Sequence, residues 1–217
     1  MGKKETIVVF GAHSDDFVIG AGGTLARYVE EGKKVISVVF SFGENSHPWL
    51  KEGIVQQMRS KEAVEACNVM KITRLVFYDL AELNFMEEYK NKNVEKELLQ
   101  LLETEKPTKI FTHSQEDPHP DHKAINQITL QLWEKLPKAV RPEIYTYSIW
   151  NPVSFRNNYP SFYVNISQYF GIKLKALKTY RSQKFHIIYP VLLLFFRAIK
   201  DGLKVHSLYG ERFFRIK

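Results

Sequence analysis

Two short segments of the sequence gather histidine and aspartate side chains directly after apolar runs. The first is His13-Ser14-Asp15-Asp16, which follows TIVVFGA, and the second is Asp117-Pro118-His119-Pro120-Asp121-His122, which comes soon after KIFTHS. Together they supply three imidazoles and several carboxylates. Such a set of nitrogen and oxygen donors suits zinc or another divalent ion.

The spacing of the first segment suits a metal site. In a turn that leaves a strand, residues i and i+3 can converge on one point, so His13 and Asp16 can share one ion while Asp15 points elsewhere. A third ligand from the second segment completes a catalytic site with one position open for water. Such a water loses a proton near neutral pH, and Asp15 is placed to accept it. Each segment alone also has a plainer interpretation, as a helix cap or as a rigid proline turn.

The elements that must position these segments alternate between strand and helix. Apolar β-branched runs alternate with stretches of helical period, which predicts an α/β protein, a Rossmann-like three-layer fold with a mostly parallel sheet flanked by helices. Ligands bind beyond the carboxyl ends of strands in such sheets, where both segments fall. Strands are predicted at 6–12, 33–42, 74–79, 109–114 and 143–150, and helices from Ala21 or Thr24 to Glu31, from Leu50 to Val69, and through NVEKELLQLLETE, KAINQITLQLWEKL and GIKLKALKTYRSQ. Residues 151–167 predict loop and short edge strands.

The chain resembles the LmbE-like, or PIG-L-like, zinc-dependent N-deacetylases that act on N-acetylglucosamine groups. The family typically carries an AHPDDE-like segment after the first strand, where this chain has AHSDDFVIGAGGTLARY, and it carries HPDH, which this chain has in HPDHKA. The likeness continues through RSKEA (59–63), YRSQ (180–183) and LYGERF (208–213), so it spans almost the whole chain. The resemblance implies removal of an N-acetyl group from an amino sugar or its conjugate, with release of acetate and the free amine.

The resemblance also implies a role for each motif residue. His13, Asp16 and His122 would bind the metal, and Asp15 would be the general base. His119 would stabilise the oxyanion and protonate the leaving amine, while Asp121 would orient an imidazole. Amide hydrolysis needs a Lewis acid, a base and an acid, and this set supplies all three.

Other matched positions carry open alternatives or depart from the family pattern. Arg59 corresponds to the family's substrate-contacting arginine, and a surface salt bridge with Glu62 is the competing role. Ser14 replaces a proline or alanine, which we expect to change the rigidity of the turn more than its chemistry. Phe17 and Val18 stand where relatives often have glutamate, and we expect this change to affect the substrate. Asn165 stands where relatives often have aspartate.

Length and composition set the remaining expectations. A chain of 217 residues predicts a single domain over 1–217, and the sole cysteine, Cys67, predicts a buried apolar side chain. The N-terminus shows no signal-peptide pattern, so we expect a cytoplasmic protein. The net charge of +7 comes from scattered residues without a long basic run, so nucleic acid is not an expected partner.

The apolar stretch Ile187–Leu203 is too short to span a bilayer. One interpretation is a partly buried helix that starts after Pro190, and the other is a helix that faces lipid or the lip of the substrate site. A peripheral membrane contact or a lipid-linked substrate is compatible with the second. Exposed aromatics such as Phe195 and Phe196 would favour a homo-oligomer.

Two other functions compete with deacetylation. A nucleotide-binding module is disfavoured because Gly20, Gly22 and Gly23 come too late for a dinucleotide fingerprint and two aspartates would repel a pyrophosphate. A metal-binding protein of the same fold without catalysis, acting as a binding or assembly subunit, is disfavoured by the intact Asp15, His119 and His122. Among the histidines outside the motifs, we expect His113 to have a structural role.

Overall fold

The computed structural model describes residues 4–47, 49–151 and 159–217, with the side chains of 184–189 left aside. Seven strands form one sheet in the order β3-β2-β1-β4-β5-β7-β6. The strands are β1 Thr6–Gly11, β2 Lys34–Val39, β3 Arg74–Phe77, β4 Lys109–His113, β5 Glu143–Tyr147, β6 Ser161–Asn165 and β7 Gly210–Arg215. The helices are α1 Asp16–Glu30, α2 Glu52–Met70, α3 Phe85–Asn91, α4 Val94–Glu105, α5 Pro120–Lys135, α6 Phe170–Leu177 and α7 Lys184–Leu203.

The sheet is mostly parallel, as predicted. The neighbours β3, β2, β1, β4 and β5 all pair in parallel, and β7 pairs antiparallel with both β5 and β6. Because β1 and β4 are adjacent and parallel, the segments that follow them leave the sheet at the same edge. This topology brings the two histidine-containing segments together although they lie far apart in the chain.

Two apolar cores cover the two faces of the sheet. Alternate residues of β1 enter different cores: Ile7 and Val9 pack with α1, α2, α6 and α7, while Val8 and Phe10 pack with α3, α4 and α5. This alternation is what a strand buried on both faces requires. The predicted three-layer α/β architecture is therefore confirmed. Cys67 is buried in the first core, as expected, and burial raises the pKa of its thiol to about 12.

The structure corrects the predicted start of the first helix. The glycines suggested a start at Ala21 or Thr24, whereas α1 begins at Asp16. A Cβ added at Gly20 would overlap the ring of Tyr147, so this glycine lets the helix approach β5 closely. Tertiary packing thus outweighs the low helix propensity of the glycines.

The last third of the chain also departs from the prediction. The helix expected through GIKLKALKTYRSQ ends at Leu177 and is followed by a short 3-10 turn, Arg181–Gln183. The hydroxyl of Tyr180 donates to the carbonyl of Ser14 at 2.5 Å, which draws this segment toward the site instead of into a continued helix. The helix expected after Pro190 begins at Lys184, with the proline inside it. Residues 152–158, expected as loop, lie outside the described part of the chain.

A buried ion pair joins α1, α6 and β7. The carboxylate of Glu211 accepts the backbone N–H groups of Gly23 and Thr24, at 3.0 and 2.7 Å, and lies 2.5 Å from Nζ of Lys173. Both side chains are almost fully buried. The pair therefore fixes the helix that carries Asp16 against the antiparallel end of the sheet. No helix in the described ranges is both long enough and apolar enough to cross a membrane.

Candidate metal centre and active site

The two segments meet at the carboxyl edge of the sheet. His13 and Asp15 lie in the turn between β1 and α1, and His122 lies in the first turn of α5, which follows β4. His119 is the N-cap residue of α5. Strand order alone therefore places the four side chains around one point, as the sequence predicted.

Three side chains converge as a metal-binding group. Donor atoms of His13, Asp16 and His122 lie within 4.8 Å of one another, and all three residues are buried. Oδ2 of Asp16 is 3.5 Å from Nδ1 of His13 and 3.5 Å from Nε2 of His122. Donor atoms bound to one zinc ion at tetrahedral angles would lie roughly 3.4 Å apart. The group thus has the spacing that a small divalent ion requires.

The orientation of His122 leaves one ring nitrogen for a ligand. Its Nδ1 lies 2.9 Å from Oδ1 of Asp117, which fixes the ring. Its Nε2 is buried and has no hydrogen-bond partner among the residues that the structure describes. Although burial disfavours the charged ring, Asp16 and Asp117 raise the pKa of His122 to about 9. A cation between Nε2 and Oδ2 of Asp16, which are 3.5 Å apart, would be bound by both atoms and fits this donor set.

Asp16 is held in place by its own turn. Its Oδ2 accepts the backbone N–H of His13 at 2.7 Å and lies 3.2 Å from Nε2 of His113. Burial opposes ionisation, but the neighbouring His122 and His113 keep the pKa of Asp16 well below its usual value. His113 is fully buried, and its Nε2 accepts the backbone N–H of Ala12 at 3.0 Å. It therefore supports the turn, in agreement with the structural role expected for it.

Asp15 points away from the converging donors. It lines the cleft, and its Oδ1 accepts a hydrogen bond from Nη2 of Arg59 at 3.2 Å. Burial raises the pKa of Asp15, and the positive charge of Arg59 opposes the rise. A carboxylate in such a place is a stronger base than one in water while its partner keeps it ionised.

Arg59 is buried among four hydrogen-bond partners, of which Oγ of Ser46 is the most distant, at 3.4 Å from Nη1. Besides Asp15, it donates from Nε to Oγ of Ser14 at 3.1 Å and from Nη1 to the carbonyl of Gly43 at 2.9 Å. The competing salt bridge with Glu62 does not form, since the Glu62 carboxylate accepts hydrogen bonds from the backbone and hydroxyl of Ser182. Ser14 therefore accepts a hydrogen bond from Arg59 in the site. The expectation for this residue concerned only the rigidity of the turn and its chemistry in general, and it did not include this contact.

His119 and Asp121 take different places around His13. Nδ1 of His119 accepts the backbone N–H of Asp121 at 3.2 Å, so the neutral ring carries its proton on Nε2. Burial and the nearby His13 lower the pKa of His119, which favours this neutral form. Oδ2 of Asp121 is 3.2 Å from Nε2 of His13, and Oδ1 accepts the backbone N–H of Leu83 at 2.9 Å. Asp121 thus lies where it can orient an imidazole.

Sequence reasoning missed Glu82. Its Oε1 lies 3.3 Å from Nε2 of His13, and its side chain is only 12% exposed. Although burial opposes a charge on the His13 ring, contacts with Asp121, Asp16 and Glu82 raise its pKa well above the usual value. Glu82 follows β3, so its position after a third parallel strand was the available signal.

Phe17 and Val18 lie away from the cleft. Both side chains are fully buried in the core that contains α1 and α2. Neither residue lines the cleft, so the effect on the substrate that the sequence change predicts stays a prediction. Helix geometry explains the result, because the residue after Asp16 is rotated about 100° away from it.

A cleft of about 250 Å³ opens onto the candidate metal centre. It is lined by His13, Asp15, Asp16 and His119, and its other lining residues come from several separate parts of the chain. The residues that line the walls are Ile19, Asn45, Ser46, Arg59, Glu82, Ile149, Trp150, Gln183 and Pro190.

A parallel α/β sheet with a histidine and aspartate cluster at its carboxyl edge, open to a cleft, is the arrangement of a metal-dependent enzyme. The family model described as "PIG-L: GlcNAc-PI de-N-acetylase" matches residues 8–133, more than half of the chain. The protein belongs to the PIG-L family, which confirms the resemblance seen in the sequence.

Several known proteins are similar to this chain. The probable N-acetyl-alpha-D-glucosaminyl L-malate deacetylase 2 of Bacillus cereus is 27% identical over 191 residues, covering 83% of this chain and 84% of that protein. The N,N'-diacetylchitobiose deacetylase of Pyrococcus horikoshii has a TM-score of 0.80 at 22% identity, with 98% of this chain and 84% of that one covered. The hydratase GalB of Pseudomonas putida has a TM-score of 0.82 at 19% identity, with 98% and 96% covered. The two structural matches show a shared fold.

Proposed function

We propose that the protein is a metal-dependent N-deacetylase that removes the acetyl group from an N-acetylglucosamine-type sugar or conjugate, releasing acetate and the free amine. The observation that carries the proposal is the buried group His13, Asp16 and His122, whose donor atoms lie within 4.8 Å of one another. The PIG-L family and the similar malate-conjugate deacetylase point to the same reaction. The deacetylase class predicted from the sequence is thereby confirmed.

The three ligands would hold a zinc ion or a similar divalent metal. When bound, the ion would supply Lewis acidity to the amide carbonyl and to the attacking water. Asp121 and Glu82 flank Nε2 of His13 at 3.2 and 3.3 Å, so they leave Nδ1 of that ring for the metal. Asp117 contacts Nδ1 of His122 and so leaves Nε2 of that ring for the metal.

Asp15 would act as the general base. Its carboxylate lines the cleft beside the ligands. It belongs to neither of the two groups of converging donor atoms in the described residues, which are His13, Asp16 and His122, and His13, His119 and Asp121. Arg59 holds Oδ1, so Oδ2 is the oxygen that remains to take a proton from water. Burial makes this carboxylate more basic, and Arg59 keeps it charged before the reaction.

His119 would act on the opposite side of the amide. Its Nδ1 is occupied by the backbone of Asp121, so the donor nitrogen is Nε2. About a third of its side chain is exposed, as expected for a group that must reach substrate. The Nε2–H group would stabilise the oxyanion by a hydrogen bond, and the proton that Asp15 takes from water would pass to the leaving amine.

The walls of the cleft suit a sugar. Asn45, Glu82 and Gln183 bring polar side chains for hydroxyl groups, and Trp150 brings an aromatic ring suited to the C–H face of a pyranose. Arg59 is buried and makes four hydrogen bonds, so we propose that it acts chiefly by positioning Asp15, with substrate contact limited to the edge that lines the cleft.

The test is a mass-spectrometric screen of acetylated amino sugars and their conjugates, comparing the native protein with Asp15→Asn. We expect about one zinc per chain in both proteins and acetate release by the native one alone. His122→Ala is the matched control, since it should lose both metal and turnover. Normal turnover by Asp15→Asn would overturn the assignment of Asp15 as the general base. Metal binding without turnover of any acetylated amino sugar would favour the non-catalytic alternative.

A further inference from the structure

The outer face of α7 carries an uninterrupted apolar stripe. Leu192, Phe196, Ile199 and Leu203 are 68, 63, 51 and 70% exposed. Their spacing of four, three and four residues places them on one side of the helix. We call these four residues the α7 stripe. Single exposed apolar residues are ordinary, but four in line form a continuous surface that points to a binding partner.

The stripe is not needed to hold the helix on the protein. The opposite side of α7 packs through Leu194 and Ala198, which are 5 and 3% exposed. Arg197 donates from Nη1 to the carbonyl of Ser148 at 2.8 Å, and Asp201 is buried beside Arg212. The helix is therefore fixed through one side, while the stripe faces solvent.

The charges beside the stripe are of one sign. Lys200 and Lys204 are exposed next to it. The sole acidic residue between Val191 and Lys204 is Asp201, which is buried and faces Arg212. Two copies of this face would offer each other no exposed carboxylate from α7 to pair with these lysines. An anionic surface would instead meet complementary charges.

The stripe begins at the rim of the catalytic cleft. Pro190 lines the cleft, and Leu192 follows two residues later. Gln183, the N-cap residue of α7, donates from Nε2 to Oγ of Ser46 on the neighbouring wall at 3.1 Å. Trp49, which is 74% exposed, lies three residues beyond Ser46. Exposed apolar side chains, Trp49 and Leu192, thus come shortly after the cleft-lining residues Ser46 and Pro190 in the sequence.

We propose that the α7 stripe, with Lys200 and Lys204, is a docking surface for an anionic lipid bilayer. The helix would lie in the headgroup layer, with its apolar stripe among the acyl chains and its lysines at the phosphates. Pro190 of α7, which lines the cleft, would then hold the cleft mouth near the bilayer. Together with the proposed deacetylase function, on which this last step rests, docking favours an acetylated amino sugar presented at a membrane surface.

The test is co-sedimentation of the zinc-loaded protein with vesicles of phosphatidylcholine alone or mixed with phosphatidylglycerol. We expect binding to the anionic vesicles that weakens as salt rises, and little binding to the neutral ones. Phe196→Asp/Leu203→Asp should weaken binding about tenfold or more, and Lys200→Ser/Lys204→Ser roughly tenfold or more. Val64→Asp, at an exposed position of α2, is the matched control and should bind as the native protein does.

Circular dichroism checks that each variant is folded, which its exposed position favours. Equal binding by Phe196→Asp/Leu203→Asp and the native protein would overturn the proposal, as would failure of the native protein to bind anionic vesicles. A native dimer that light scattering shows to dissociate in the Phe196→Asp/Leu203→Asp variant would also overturn it, by making the stripe a subunit interface. Co-sedimentation measures membrane binding and needs no turnover, so a failure of the docking proposal can be distinguished from a failure of the proposed deacetylase function.

Discussion

Replacing Gly43 by alanine tests whether Arg59 positions Asp15. Gly43 has a φ of +78°, and a Cβ added there would overlap Nη1 of Arg59. The same guanidinium bonds the Gly43 carbonyl at 2.9 Å and Asp15 at 3.2 Å. The added methyl group must therefore push Arg59 away from the proposed base.

Gly32 provides the matched control for the backbone effect. Its φ is +80°, close to that of Gly43, and a Cβ there would meet nothing within 4 Å. Gly32→Ala should cost about 1 to 2 kcal/mol, which is the cost of a left-handed backbone for a residue with a Cβ. Gly43→Ala should cost about 3 kcal/mol more, because it also separates a buried ion pair whose side chains are only 3 and 12% exposed. That difference corresponds to a melting temperature roughly 6 to 12 °C lower.

The assay combines urea unfolding with acetate release. We expect Gly43→Ala to lower kcat by about 10- to 100-fold, since a displaced base loses its alignment with water, and Gly32→Ala to leave kcat unchanged. In an Arg59→Met background the excess cost of Gly43→Ala should disappear, as a double-mutant cycle would show. Equal stability and activity of the two alanine variants would refute the assignment of Arg59 as a positioning residue.

Two further predictions concern buried charges. Although burial opposes it, His122 lowers the pKa of Asp117 to about 2, so the folded state binds this proton less tightly than the unfolded state. The resulting stability of about 2 kcal/mol should be present above pH 4 and lost as the pH falls toward 2. Urea unfolding of the metal-free Asp117→Asn variant should show no such loss of stability over this pH range. An unchanged acid limb in that variant would contradict the pairing. Lys173→Met should cost about 3 to 5 kcal/mol by leaving Glu211 charged and buried, and Lys173→Met/Glu211→Gln should recover part of it. A single-variant cost below about 1 kcal/mol in urea unfolding would show that Glu211 does not depend on Lys173.

The parts of the site that the sequence predicted are local ones. His13 and Asp16 share a turn, and the HPDH segment starts a helix, so their spacing already limits where the donors can lie. The parallel sheet then brings the two segments together, because consecutive strands of alternating α/β units end at the same edge. Local spacing and topology suffice for the metal-binding group.

The parts that sequence reasoning missed depend on tertiary contacts. Glu82 reaches His13 from a loop after β3, and its own neighbours in sequence carry no metal-site pattern. The partners of Arg59 come from two different loops. The two roles considered for Arg59 from the sequence, substrate contact and a salt bridge with Glu62, therefore did not include its hydrogen bonds to these loops. The burial of Phe17 could not be foreseen without the phase of the helix that Asp16 begins. The single domain over 1–217, the cytoplasmic location and the homo-oligomeric state stay predictions.

The burial of the metal-binding group explains why two distant segments must meet accurately. Asp16 is surrounded by imidazoles from three places, His13 in its own turn, His113 at the end of β4 and His122 in α5. Without a metal, protonated His13 and His122 balance the carboxylate, and a metal ion would require both rings to be neutral. Second contacts from Asp117 and Asp121 remain available to these two rings in either state. His13 and His122 could therefore exchange a proton for a shared cation without moving, which supports the proposed metal site.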